Sequence, residues 1–208
     1  MLTGMREHVL IVPGFHGSDT GHWQTWLERQ LPESSRLQGV DWETPCLGVW
    51  SAALQAQIRA LPGPVWLVAH SFGCLAAVDA ARHCGNQVAG ALLVAPADPE
   101  RFTDDGARRV DSAAASITAR LPATLLPFPA ILVSSTNDPW LRRTAAAYWA
   151  DRWGCHLHEL GACGHINREA GFGPWPLGLH LLAQLRDCSQ RDVLGDIDLL
   201  PSPGGISN

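Results

Sequence analysis

The chain has 208 residues, 46% of them hydrophobic, a mean hydropathy of zero and a formal net charge of −5. That length suits one domain with a sizeable core. All of its basic residues are arginines, spread without a basic stripe, so nucleic-acid binding lacks its electrostatic footprint, and no apolar run approaches the roughly 20 residues of a membrane span.

Val9-Leu10-Ile11-Val12 predicts a strand that ends in Pro13-Gly14-Phe15-His16-Gly17. A helix is predicted over 22–31, where Trp23, Trp26, Leu27 and Gln30 recur at helical spacing. Leu37–Trp42 predicts a weaker strand, and 49–61 a helix stopped by Pro62-Gly63-Pro64. Val65–Val68 predicts a buried strand, followed after Ser71 by a helix over 74–82. Strands are also predicted at Ala91–Ala95, Ala130–Ser134 and His156–Leu160, and helices at 141–153 and 175–188. Continuous apolar strands are buried on both faces, which implies a mostly parallel sheet of about six strands with helices on both sides. Pro99–Leu125 is expected to hold one or two short helices beside the site. The domain is expected over 1–190, with 191–208 as a C-terminal tail.

Chemistry concentrates at the predicted strand ends, where open parallel sheets bind ligands. Ala69-His70-Ser71-Phe72-Gly73 places a serine between a strand and a helix, with small residues two positions to either side. That is the pattern of a nucleophile elbow, with alanine where the first glycine is usual. Asp138 follows the next-to-last strand in Ser135-Thr136-Asn137-Asp138-Pro139, and His165 follows the last in Gly161-Ala162-Cys163-Gly164-His165. A serine hydroxyl is a weak nucleophile near neutral pH and needs a base. Histidine suits that task, and an aspartate fixes its tautomer. The oxyanion formed on attack needs fixed donors, expected from the backbone N–H groups of Phe72 and Phe15. His16, Trp140, Phe172 and Trp175 are expected to wall the substrate pocket, and His22 to lie near it.

Other readings of these side chains are weaker. Cys163, two residues before His165, is a poorer nucleophile candidate than Ser71, which has the better structural setting. His156 and His158 alternate on a strand with no third ligand near in sequence, and no cysteines form a C-x-x-C pair, so no metal and no cofactor are expected. His70 is expected to be structural, and Asp98 is the carboxylate that could replace Asp138. Met1–Arg6 lacks a signal peptide's apolar centre, so free thiols and a cytoplasmic location are expected.

Four blocks carry a family resemblance: Val12-Pro13-Gly14 with Gly17-Ser18 and His22-Trp23-Gln24-Thr25-Trp26; Ala69–Gly73; Ser134–Pro139; and Gly164-His165-Ile166-Asn167 with Gly171-Phe172-Gly173-Pro174-Trp175-Pro176. Over about residues 8–186 the chain resembles the α/β-hydrolase family of retinoblastoma-binding protein 9 and bacterial YdeN. The resemblance implies a compact single-domain α/β-hydrolase fold with little or no lid. It also implies Ser71 as nucleophile, Asp138 as acid and His165 as base. The expected activity is hydrolysis of a small carboxylic ester, with an amide as the lesser substrate. A protein-binding module on the same fold, or an acyltransferase or perhydrolase using the same residues, are the alternatives. No nucleic-acid or membrane partner is expected.

Overall fold

The computed structural model describes residues 6–195, with side chains described through residue 187. The strands are β1 (His8–Val12), β2 (Ser34–Arg36), β3 (Val65–His70), β4 (Val88–Val94), β5 (Phe102–Thr103), β6 (Gly106–Ala107), β7 (Ala130–Ser134) and β8 (His156–Glu159). The helices are α1 (Trp23–Gln30), α2 (Leu47–Ala60), α3 (Phe72–Cys84), α4 (Arg143–Trp153) and α5 (Pro176–Gly195). Six strands form a parallel sheet in the order β2-β1-β3-β4-β7-β8, and β5 and β6 form a separate short hairpin.

Side chains alternate across each strand, so an uninterrupted apolar run feeds two cores at once. Leu10, Leu67, Leu93 and Leu132 face α2, α3 and α4. Val9, Ile11, Val68, Leu92 and Val133 face α1 and α5. Three helices therefore cover one face and two the other.

The first core also absorbs much of the segment from Pro99 to Leu125. It contains short 3-10 turns at Pro99–Arg101 and Ile117–Arg120, with the β5–β6 hairpin between them. Phe102, Ile117 and Leu121 are buried, and the Phe102 ring lies 4.7 Å from that of Phe72. The segment thus packs beside the sheet, and none of its residues lines the cavity over Ser71.

Two expectations need correction. Leu37–Trp42 is not a strand; the edge strand is the polar Ser34–Arg36 just before it. An edge strand half in water tolerates serine and arginine, so the more apolar stretch was the wrong guide. Leu37 extends the ladder by one bond, donating to Ile11 O at 2.9 Å, and Gly39 then takes φ +76° and turns the chain away. The second correction concerns the last helix. α5 continues to Gly195, so the expected boundary at 190 falls inside it; residues 196–208 lie outside the described part of the chain.

The strand order reverses between β1 and β3, and the crevice at such a point is where α/β sheets bind ligands. One buried side chain holds the crevice in shape. Gln24 on α1 is fully buried; its Nε2 donates to Val12 O at 3.2 Å and Val68 O at 3.0 Å, while its Oε1 accepts from Ser18 Oγ at 2.7 Å. It ties the ends of β1 and β3 to the helix. Gln24→Leu, which keeps the bulk but strips three partners, is expected to lower the unfolding free energy by about 2–4 kcal/mol. Urea denaturation of the variant checks this, and an unchanged midpoint would refute the tie.

Candidate active site

Ser71 sits between β3 and α3 with φ 53° and ψ −125°, outside the regions an L-residue prefers. Its N–H is anchored on Val94 O at 3.1 Å. The loop after β1 presses against this turn from the other side. A Cβ at Gly73 would lie 2.3 Å from Pro13 O, and one at Gly14 would lie 2.6 Å from Ser71 Cβ. The glycine two positions after the serine is therefore dictated by the backbone of the first loop. Ala69, two positions before, is fully buried in the sheet, where its one methyl is accommodated.

His165 Nε2 lies 2.8 Å from Ser71 Oγ. On the ring's far side Nδ1 lies 2.9 and 3.0 Å from the two carboxylate oxygens of Asp138. Both His165 and Asp138 are nearly excluded from solvent. The structure thus brings together three residues drawn from three strand ends. Asp98 is elsewhere: its carboxylate accepts from Glu100 N–H at 3.0 Å and caps the first 3-10 turn.

The loops bearing Asp138 and His165 are stitched to each other by two residues that sequence reasoning passed over. Asn137 Oδ1 accepts from Gly164 N–H at 2.7 Å, and Ser135 Oγ accepts from Cys163 N–H at 2.9 Å. Ser135 in turn donates to Asn137 Oδ1 at 2.9 Å. Asp138 Oδ1 also accepts from Trp140 N–H at 2.8 Å, which fixes the carboxylate in its own turn. The only signal for Asn137 and Ser135 was their place in an Asx-prone turn.

Two aromatic groups hold the backbone around His165. His70 Nε2 lies 3.0 Å from His165 O, so it carries the proton, and Trp23 Nε1 donates to Ile166 O at 2.8 Å. Ile166 is fully buried with φ 49°, a strained turn that these bonds help maintain. His70 is structural in this sense, yet its ring also forms part of the wall around Ser71.

A cavity of about 260 Å³ opens over Ser71 and His165. Phe15, His16, His22 and Trp140 line it, with Asp19 and Arg168 pairing at its rim. Phe172 and Trp175 do not line it, contrary to expectation. Their rings stack edge-on at 5.8 Å, and Trp175 also meets Trp23 at 5.0 Å, so they belong to the second core. Sequence proximity to His165 misled, because the turn at Gly171, with φ +87°, redirects the chain between them. Cys163 Sγ faces Leu160 O at 3.3 Å. His156 and His158 lie on the edge strand β8, and among the described residues no three metal-ligating side chains gather.

The donors of the first loop divide cleanly. His16 N–H goes to Trp42 O and Gly17 N–H to Gly14 O, both at 2.9 Å. Among the described residues no acceptor is found for the N–H of Phe15 or of Phe72, the first residue of α3. Phe15 lines the cavity over Ser71, and Phe72 follows Ser71 at the positive end of a helix.

Comparison with known proteins follows the same lines. The sequence model of the serine hydrolase family matches residues 9–184. The chain is 31% identical over 96 residues to YdeN of Bacillus subtilis (strain 168), a match spanning 43% of this chain and 50%, about half, of that curated relative. It is similar to the crystal structure of a YdeN-like hydrolase from Pectobacterium atrosepticum SCRI1043, with 37% identity and a TM-score of 0.78, covering 88% of this chain and 92% of that one. The B. subtilis ydeN gene product, 21% identical with a TM-score of 0.66, shares the fold over 88% of this chain and 100% of its own. So does Est1E of Butyrivibrio proteoclasticus, solved with ferulic acid bound, at 15% identity and a TM-score of 0.58 over 93% of this chain and 90% of its own.

Burial sets the charge state of the neighbouring histidines. It pulls His22 down to about 4, against a smaller opposing pull from Asp19, and it holds His70 well below the usual imidazole range. Both rings are neutral in the folded protein at pH values where the unfolded chain has begun to protonate. The unfolded state then binds more protons, so stability falls as pH drops from about 6.5 towards 4, and neither ring contributes above that window. His22→Asn keeps a helix cap and removes one titrating group. Its plot of unfolding free energy against pH is expected to be shallower than wild type by about 1.4 kcal/mol per pH unit between roughly pH 6 and 4.5. Parallel plots would exclude a buried neutral His22.

Proposed function

The chain belongs to the serine hydrolase family, and from that premise we propose that it cleaves a small carboxylic ester through an acyl-enzyme on Ser71. The observation that supports this most directly is the continuous Ser71–His165–Asp138 contact, at 2.8 Å and 2.9 Å, opening onto a cavity. Ser71 Oγ attacks the ester carbonyl carbon as its proton passes to His165 Nε2. Asp138 keeps the proton on Nδ1 and balances the imidazolium. The N–H groups of Phe72 and Phe15 receive the oxyanion. His165 then returns the proton to the departing alcohol. Water attacks the acyl-enzyme with His165 as base, and the carboxylic acid leaves. The cycle needs no metal or organic cofactor.

The cavity, at about 260 Å³, lies at or below the lower end of the range for small-molecule pockets, about 300 Å³, which favours acyl groups of about two to six carbons. Trp140, whose ring centre lies 5.7 Å from that of His165, would wall the site in place of the aromatics that turned into the core. The five described cysteines are free thiols, which supports a reducing, cytoplasmic setting.

Ser71→Ala is expected to abolish p-nitrophenyl ester turnover and labelling by a fluorophosphonate, with thermal stability little changed. Asp138→Asn would offer a donor where His165 requires an acceptor, and kcat is expected to fall on the order of 10²–10⁴-fold. Asp98→Asn, a cap-preserving change, is expected to leave kcat unaltered. Loss in the Asp98 variant alone would move the acid to that residue, and wild-type turnover in Ser71→Ala would end the proposal. A p-nitrophenyl series should peak at short chains; an optimum at lipid-like lengths would contradict the small cavity.

A further inference from the structure

His22 is used by neither the proton relay nor the oxyanion donors, yet it stands in the same cavity. Its Nδ1 accepts the N–H of Gln24 at 3.1 Å, closing the first turn of α1. A nitrogen that accepts from a backbone amide carries no proton, so in the neutral ring the proton must sit on Nε2. The backbone thus fixes the tautomer. Among the described residues no acceptor is found for that Nε2–H, and it is not among the sealed, unpartnered polar atoms of the interior. Its ring belongs to the wall of the cavity above Ser71. The ring cannot easily turn away: its centre lies 5.0 Å from that of His70, which is 4.9 Å from that of His165, and Trp23 closes the other side at 5.6 Å. Burial keeps it neutral down to about pH 4.

We propose that His22 Nε2–H is a fixed hydrogen-bond donor to the substrate, and that the site selects esters bearing a second acceptor oxygen, such as alkoxy, keto or hydroxy esters, over plain hydrocarbon ones. This deepens the esterase reading and rests on it. A donor held in a small cavity favours a ligand that satisfies it and penalises one that covers it with a methylene. The rest of the wall is consistent. With Phe172 and Trp175 in the core, the large apolar surface of the wall comes, among the described residues, from Phe15 and Trp140, while Asp19 and Arg168 supply a charged rim. A neutral donor also differs from a cationic one in what it chooses: it does not demand an anion, and its preference does not switch with pH across the neutral range.

The test uses an isosteric pair with the oxygen on both sides of the scissile bond: 2-methoxyethyl methoxyacetate and butyl butyrate. Acid release is followed by pH-stat, and each rate is divided by that ester's rate of alkaline hydrolysis. Wild type is expected to favour the oxygenated ester. His22→Ser keeps a capping oxygen but loses the reach of Nε2, and is expected to shrink that preference about 3–10-fold, whatever it does to both rates together. A merely structural His22 would move both esters alike. The second arm needs no turnover. Inactive Ser71→Ala is expected to bind the oxygenated ester more tightly than butyl butyrate in ligand-observed NMR, and Ser71→Ala/His22→Ser to bind the two alike. Equal preference with and without His22 in the two arms would overturn the proposal. No hydrolysis of either ester by wild type would instead condemn the esterase reading, with the equilibrium binding comparison still deciding the role of His22.

Discussion

The approach of the first loop to the serine turn governs this molecule. Two peptide segments meet there at a separation that leaves no space for a single methyl group: a side chain on residue 73 would strike the carbonyls of Val12 and Pro13. That contact sets the loop bearing Phe15 against the turn where Ser71 ends and Phe72 begins α3. It exists because β1 and β3 are neighbours in a parallel sheet whose order reverses between them. Gln24 maintains it from beneath, with both amide hydrogens on the strand ends. The strain at Ser71 is borne by this packing, since a lone turn would relax out of such a conformation.

The histidine side follows a different logic. No strand pairing reaches His165; it lies beyond the edge strand, on a loop that must be held by side chains. Rings on β3 and α1 take the carbonyls of His165 and Ile166, while Ser135 and Asn137 take the amides of Cys163 and Gly164. The two ring bonds are buried and costly to leave unmade, so they define one loop conformation sharply. His165 is thus positioned to hydrogen-bond accuracy by groups that lie outside the Ser71–His165–Asp138 contact.

What the amino-acid sequence revealed follows from this division. Strand ends were legible because apolar runs stop abruptly, and the order of Ser71, Asp138 and His165 along them pointed to one end of the sheet. The elbow was legible because its small residues answer to sterics within a few positions. Gln24, Asn137 and Ser135 were not, because their partners lie far along the chain and a polar side chain bears no mark of which distant amide or carbonyl it meets. β2 was missed because an edge strand need not be apolar. Phe172 and Trp175 were misplaced because adjacency in sequence says little after a glycine turn.

The short helix α1 carries consequences out of proportion to its eight residues. A helix of that length has little stability of its own in water, so it persists through what it touches. Its residues, and the His22 that caps it, reach the ends of β1 and β3, the loop of His165 and the cavity wall. Those segments are far apart in the chain but share one fastening. Opening of α1 would release the serine turn, the histidine loop and the substrate wall in a single event. The serine turn, the histidine loop and the cavity wall are therefore fastened as one unit by a helix that carries none of Ser71, His165 and Asp138.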